Sequence, residues 1–157
     1  MKEKTLIPLD GSRSGEAALH FVEDFIDKLK PGEVPEVTLL EVVTPRMEHI
    51  SVEGGYVDIV DGREDPGKAT AEAAEYLEKS AGVLRSKGVV VNSKVVVSEN
   101  PHLSYQSIIE VEEEIHPDLV AMSSHNRPAV TKWFHDNTAE NVTRKGKTPV
   151  LLVHSEM

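Results

Sequence analysis

Short apolar runs alternate with longer stretches whose apolar residues recur at helical spacing, and this alternation organises the whole chain. The first run, Thr5 to Leu9, is stopped by Asp10, Gly11 and Ser12, a strand followed by a turn signal. Ser12 or Ser14 is the expected cap of a helix that carries Ala17, Ala18, Phe21, Val22, Phe25, Ile26 and Leu29 on one face, and Pro31 and Gly32 end it. Val37 to Val43 (VTLLEVV) is apolar at every position except Thr38 and Glu41, the pattern of a strand covered on both faces. Lys68 to Lys87 repeats Ala69, Ala73, Tyr76, Leu77, Ala81 and Leu84 along a helix, with Gly88 beyond its end. Strand three is Val89 to Val97, helix three His102 to Ile115, strand four begins at Leu119, helix four runs from about Asn137 to Arg144, and strand five is Pro149 to His154.

Between Arg46 and Gly67 the periodicity is interrupted by Gly54, Gly55, Gly62, Pro66 and Gly67, and the stretch is acidic overall, so a mobile loop is expected over 46–67. The rest follows the order β-α-β-(loop)-α-β-α-β-α-β without an internal repeat or a linker. It predicts one domain over residues 1–157: an α/β three-layer sandwich with a five-stranded parallel sheet, Rossmann-like. In such sheets ligands bind beyond the carboxyl ends of the strands, where the strand order reverses. Strands one and four, ending at Asp10 and Met122, are therefore expected to face each other across that crevice.

Composition narrows the function. At 157 residues the chain can bury one good core, and with only 4% aromatic residues that core is built from Val, Leu, Ile and Ala. The formal net charge of −10 opposes binding to nucleic acid or to anionic membranes. No apolar segment approaches the length that spans a bilayer, and the lack of cysteine fits a reducing compartment, so a cytoplasmic location is expected.

Several motifs fail on inspection. Gly146, Lys147 and Thr148 imitate the end of a P-loop, but Asn141 stands where the motif needs its first glycine, and a strand follows where it needs a helix. Asn141, Val142 and Thr143 match a glycosylation sequon inside a helix. No HxH or HxxxH pair occurs among the seven histidines, and no metal site is expected; His125 reads as a loop-packing or ligand-contacting residue. No G-x-S-x-G elbow accompanies Ser12, Ser123 or Ser124, so no catalysis is expected. Asp10 has two readings: an acceptor for the amino or hydroxyl groups of a ligand, or the opening of an Asp-Gly-Ser turn that caps the first helix.

LIPLDGSRSGEAAL, VTLLEVV, DLVAMSSHNR and TAENVTRKGKTPVLLV, in this order and spacing, resemble the universal stress protein family over essentially the whole chain. The resemblance implies an adenine nucleotide alpha hydrolase-like fold, a homodimer joined through the final strand, and in some members ATP binding. Nucleotide-binding members carry G-x2-G-x9-G-[ST] just after the strand-four Met. Here Ser123, Asn126 and Asp136 hold the glycine positions, followed by Asn137 and Thr138. The adenosine side survives: Pro8 and Asp10 near base and ribose, Val42 beside the base, and Met122 at the strand end. The resemblance therefore implies a stress-response regulatory or interaction domain with a degenerate nucleotide loop and a protein partner the sequence does not identify. The alternative is a nucleotide-responsive switch that binds ATP or AMP with Mg or Mn; an adenylating or hydrolytic enzyme ranks below both. Asp136 puts a carboxylate where the resemblance puts phosphates, so weak ATP binding at most is expected.

Overall fold

The computed structural model describes residues 3–44, 47–60, 66–100, 103–124 and 138–155. Its elements are β1 (Lys4–Leu9), a 3-10 turn (Ser14–Glu16), α1 (Ala17–Ile26), β2 (Glu36–Val43), β3 (Met47–Val52), β4 (Gly55–Val60), α2 (Pro66–Ser86), β5 (Val91–Val97), α3 (Ser104–Ile115), β6 (Leu119–Ser124), α4 (Thr138–Lys145) and β7 (Val150–His154). Five strands form one sheet in the order β5-β2-β1-β6-β7, with every pair parallel. The expected α/β sandwich is therefore the observed one, and the order reverses at β1, between β2 and β6.

Both faces of the sheet are covered, which explains why consecutive residues such as Leu6 and Ile7 or Leu39 and Leu40 are all buried. Side chains alternate between faces. Ile7, Leu9 and Leu39 join Leu19 and Val22 of α1 and Leu77 and Leu84 of α2 in one cluster. Leu6, Leu40, Val42, Val120 and Met122 join Ile108 and Val111 of α3 and Val142 of α4 in the other.

The stretch expected to be a mobile loop instead contains a two-stranded antiparallel hairpin, β3 with β4, separate from the main sheet. Val52 pairs with Gly55 across a two-residue turn, in which Gly54 takes φ 95°, a conformation closed to most side chains. The strand signal was present as alternation, Ile50 and Val52 followed by Val57 and Ile59, but the glycine pair that closes the hairpin also makes it read as a loop. Helix α2 starts at Pro66, two residues earlier than expected, because proline suits the first turn of a helix, where its missing NH costs nothing.

The two sheet edges differ. On β5, Lys94 pairs with Glu114 at 2.5 Å, Asn92 donates to Glu36 and Ser93 to Glu78, so polar side chains guard that edge. On β7 the run Val150, Leu151, Leu152, Val153 has no such guard among the described residues, and Leu152 is 40% exposed.

The turn that feeds β7 accounts for the P-loop-like residues. Gly146 donates its NH to Val142 O at 3.0 Å, and Thr148 donates its NH to Glu112 Oε1 at 3.3 Å. A Cβ at Gly146 would lie 2.7 Å from Val142 O and 2.8 Å from Glu112 Oε2. Gly146→Ala is expected to destabilise the fold by about 1–3 kcal/mol, as overpacking does; a denaturation midpoint equal to that of the wild type would refute this account of the turn.

Candidate functional site

The crevice arises where β1 parts from β6. The β1–β2 ladder runs from Lys4↔Glu36 to Leu9↔Glu41, whereas the β1–β6 ladder holds only Thr5↔Leu119 and Leu6↔Val120. Pro8, buried in the central strand, has no NH to extend a ladder. Beyond Leu6 no further β1–β6 pairs are formed, and β6 continues past Met122 to Ser124.

Asp10 sits at that point, 9% exposed. Its Oδ1 accepts from the Ser12 NH at 2.9 Å and from the Ser12 hydroxyl at 2.6 Å, while Ser12 Oγ accepts from the Gly15 NH at 3.0 Å. This is the Asp-Gly-Ser turn expected from sequence, but the N-cap positions are Arg13 for the 3-10 turn and Glu16 for α1, both without a side-chain cap, so Ser12 braces the 3-10 turn through Gly15 instead of capping α1. Gly11 turns the chain at φ 84°. Gly15 packs so closely that a Cβ there would fall 2.2 Å from Asp10 Oδ1. The other carboxylate oxygen, Oδ2, is buried with no hydrogen-bond partner among the described residues. The turn reading of Asp10 is thus the observed one through Oδ1, and Oδ2 is left over from it.

Ser123 closes the turn from the far side of the crevice. Its buried hydroxyl donates to Gly15 O at 2.7 Å and accepts from the Ala18 NH at 3.0 Å, so it pins the entrance of α1 to the end of β6. Val42 and Met122 are 4% and 2% exposed and belong to the core on the α3 and α4 side. With Pro8 they support the crevice from below. Thr138, the first residue of α4, is fully buried, and its hydroxyl has no partner among the described residues. His125, Asn126, Asp136 and Asn137 lie outside the described residues.

A cleft of about 290 Å³ opens next to Asp10, above the ends of β1 and β2 and against α2. Gly11, Glu41, Val43, Thr44, Glu72 and Tyr76 are among the residues that line it, with two carboxylates and no cation among the described residues. The Tyr76 hydroxyl donates to Glu16 Oε2 at 2.7 Å, tying α2 to the 3-10 turn that follows Asp10. Burial, reinforced by the Glu16 carboxylate and more weakly by Asp10, pushes the Tyr76 phenol far above its ordinary range. Sequence reasoning assigned Tyr76 to the core face of its helix and missed the cleft; the available signal was Glu41, a carboxylate inside an otherwise apolar buried strand. Among the described residues no group of three His, Asp or Glu side chains is placed to hold a metal, and no helix is long and apolar enough to cross a membrane.

A parallel sheet with its binding crevice at the switch point defines a Rossmann-like ligand-binding domain. The chain belongs to the universal stress protein family, whose model matches residues 1–154. It is 28% identical to universal stress protein MJ0577 of Methanocaldococcus jannaschii, an alignment spanning 98% of this chain and 95% of that one. The solved structure of MJ0577 superposes with a TM-score of 0.71 at 27% identity, covering 100% of this chain and 99% of that one. A universal stress protein solved in complex with cAMP shares the fold at a TM-score of 0.63 and 16% identity, covering 99% and 98% of the two chains.

Two outcomes follow from this geometry. Gly15→Ala must displace Asp10 Oδ1 from Ser12, so a loss of about 1–3 kcal/mol in stability is expected by equilibrium denaturation, and an unchanged midpoint would show that the turn yields freely. Tyr76 holds its proton in the fold above the pH at which an unfolded tyrosine, of pKa about 10, loses it. Its contribution to stability is therefore complete below that value and declines as the pH rises beyond it. Stability measured from pH 9 to 11 should fall more steeply for the wild type than for Tyr76→Phe; parallel curves would show that this hydroxyl does not report on folding.

Proposed function

We propose that this chain is a non-catalytic regulatory module of the stress response, and that its crevice takes the adenosine part of a nucleotide such as AMP while holding additional phosphates weakly. The observation that carries the reading is Asp10 Oδ2, a carboxylate oxygen out of water and without a donor among the described residues. Such an atom costs free energy until a donor reaches it, and the amino or hydroxyl groups of adenosine are suitable donors. The related structure with cAMP bound supports the same class of ligand.

Two observations favour weak phosphate binding. Ser123 stands at a glycine position of the family motif and spends its hydroxyl on α1, leaving no free donor there. The cleft beside the site carries Glu41 and Glu72, and a phosphate charge about 5 Å from either is repelled by roughly 1–3 kcal/mol for effective dielectric constants between about 80 and 20. Asp136, at another glycine position, adds to this unless a Mg or Mn ion bridges it to the phosphates. The module is further proposed to act in the cytoplasm and to dimerise through β7, the unguarded sheet edge.

Titration calorimetry with AMP and ATP, each with and without Mg or Mn, tests the site. The wild type should bind AMP, and ATP no better than AMP in the absence of metal. Asp10→Ala should weaken AMP binding by about tenfold or more, the loss of a hydrogen bond to a charged acceptor. Ser123→Gly combined with Asn126→Gly and Asp136→Gly should gain ATP affinity, with circular dichroism confirming that α1 stays in place. Tight metal-free ATP binding by the wild type would overturn the electrostatic argument, and AMP affinity unaffected by Asp10→Ala would overturn the role of Asp10.

A further inference from the structure

On the face of the sheet that carries α1, a groove of about 710 Å³ runs between the helix and the amino-terminal ends of the central strands. Phe21 and Phe25 form one wall, and Leu119 of β6 and Leu151 of β7 lie on the other side. The two rings stack at 6.2 Å with an interplanar angle of 10°, yet they are 43% and 50% exposed. A stacked aromatic pair half in water is a large apolar surface that the monomer leaves uncovered.

We propose that a second copy of this chain covers this groove, so that Phe21 and Phe25 form a contact between protomers beside the β7 pairing. The inference rests on the dimer reading given above and specifies what that dimer must bury. Five-residue strands paired edge to edge contact along a strip about 17 Å long and one side chain wide, on the order of 200–300 Å² per copy. A stable interface needs roughly 800 Å² per partner, so most of the area must come from surface adjacent to β7. Helix α1 packs over β6 and β7, and Leu151 belongs both to the β7 strand and to the groove, so the aromatic pair and the unguarded edge are continuous.

Symmetry brings the grooves together. Antiparallel pairing of β7 with its own copy requires a two-fold axis perpendicular to the sheet, which keeps like faces on the same side. Val153 packs into the α1 and α2 core and Val150 into the α3 core, so Leu151 and Val153 share the α1 face by alternation. Both copies of Leu151 and Val153 then make one apolar row across the axis, flanked by α1 and the aromatic pair of each protomer. Of the other exposed large hydrophobics among the described residues, Val83, Val90 and Val97 lie on α2 or around β5, at the opposite edge, Val52 lies on the hairpin, Leu103 precedes α3, and Leu152 is on β7 itself.

Sedimentation equilibrium on the intact chain tests this. Phe21→Ser combined with Phe25→Ser should raise the dimer dissociation constant at least tenfold, since buried aromatic anchors dominate such interfaces, whereas Val90→Ser combined with Val97→Ser should leave it unchanged. The chain has no cysteine, so a single introduced thiol gives a second readout that tolerates a weakened fold. Maleimide labelling of Phe25→Cys should slow as protein concentration rises through the dimer transition, and labelling of Val97→Cys should not. A dimer undiminished by the two serine substitutions, with Phe25→Cys labelled at a concentration-independent rate, would overturn the groove contact and leave β7 pairing standing. A dimer broken by Phe21→Ser and Phe25→Ser but untouched by Leu152→Lys would support the groove and reject the strand edge. A wild type that stays monomeric at millimolar concentration would overturn both.

Discussion

One carboxylate, buried at the end of the central strand with its two oxygens treated differently, sets the geometry of the whole carboxyl edge. Asp10 Oδ1 is held by Ser12 through two hydrogen bonds, and this forces the chain to turn at Gly11 and to pass Gly15 against the carboxylate with no room for a side chain. That turn delivers the start of α1 to Ser123, which bonds Gly15 O and the Ala18 NH. Three elements, β1, α1 and β6, are thereby locked at the point where the sheet ladder between β1 and β6 has ended. Hydrogen bonds in this knot replace the strand pairing that the crevice interrupts, and Oδ2 is left over as the group that has not been satisfied.

The cleft against α2 is acidic, and among the described residues no cluster is placed to hold a metal. Glu41 belongs to a strand whose neighbours are all apolar, and Tyr76 reaches from α2 to Glu16 rather than into a ligating cluster. Asp10 Oδ1 accepts from the NH and hydroxyl of Ser12, and Glu16 accepts from the Tyr76 hydroxyl. In the reading proposed above, the two carboxylates of the cleft favour a ligand that brings donors and little negative charge, which is the chemistry of a nucleoside rather than of a polyphosphate.

The fold was legible because burial on both faces leaves a simple mark. Leu6 beside Ile7, and Leu39 beside Leu40, cannot belong to a half-exposed strand, and the helices between such runs leave parallel pairing as the arrangement that fits. The hairpin was not legible because its strands carry only alternate apolar residues, and its turn glycines are the residues that normally announce irregular chain. At the site, Asp10 and the strand ends could be placed from the alternation alone. Ser123 could not: its importance lies in a bond to Gly15, 108 residues away, and nothing local distinguishes a serine that lines a pocket from one that pins a helix. Tyr76 was hidden for a related reason, since its ring follows the core spacing of α2 while its hydroxyl answers to Glu16, 60 residues earlier.

Helix α1 connects the two surfaces that matter. Its entrance is fixed by Ser123 and the Asp10 turn, and its later turns carry Phe21 and Phe25. The helix is ten residues long, about 15 Å, and it packs over β6 and β7. A ligand at Asp10, as proposed above, would touch the turn that sets the entrance of α1, and the proposed partner on the aromatic pair would touch the later turns of the same helix. Thermodynamic linkage makes any such effect equal in both directions: the factor by which a ligand tightens assembly is the factor by which assembly tightens the ligand. Any such coupling would have to pass through the few bonds joining Ser12, Gly15, Ala18 and Ser123, which are the contacts that fix the entrance of α1.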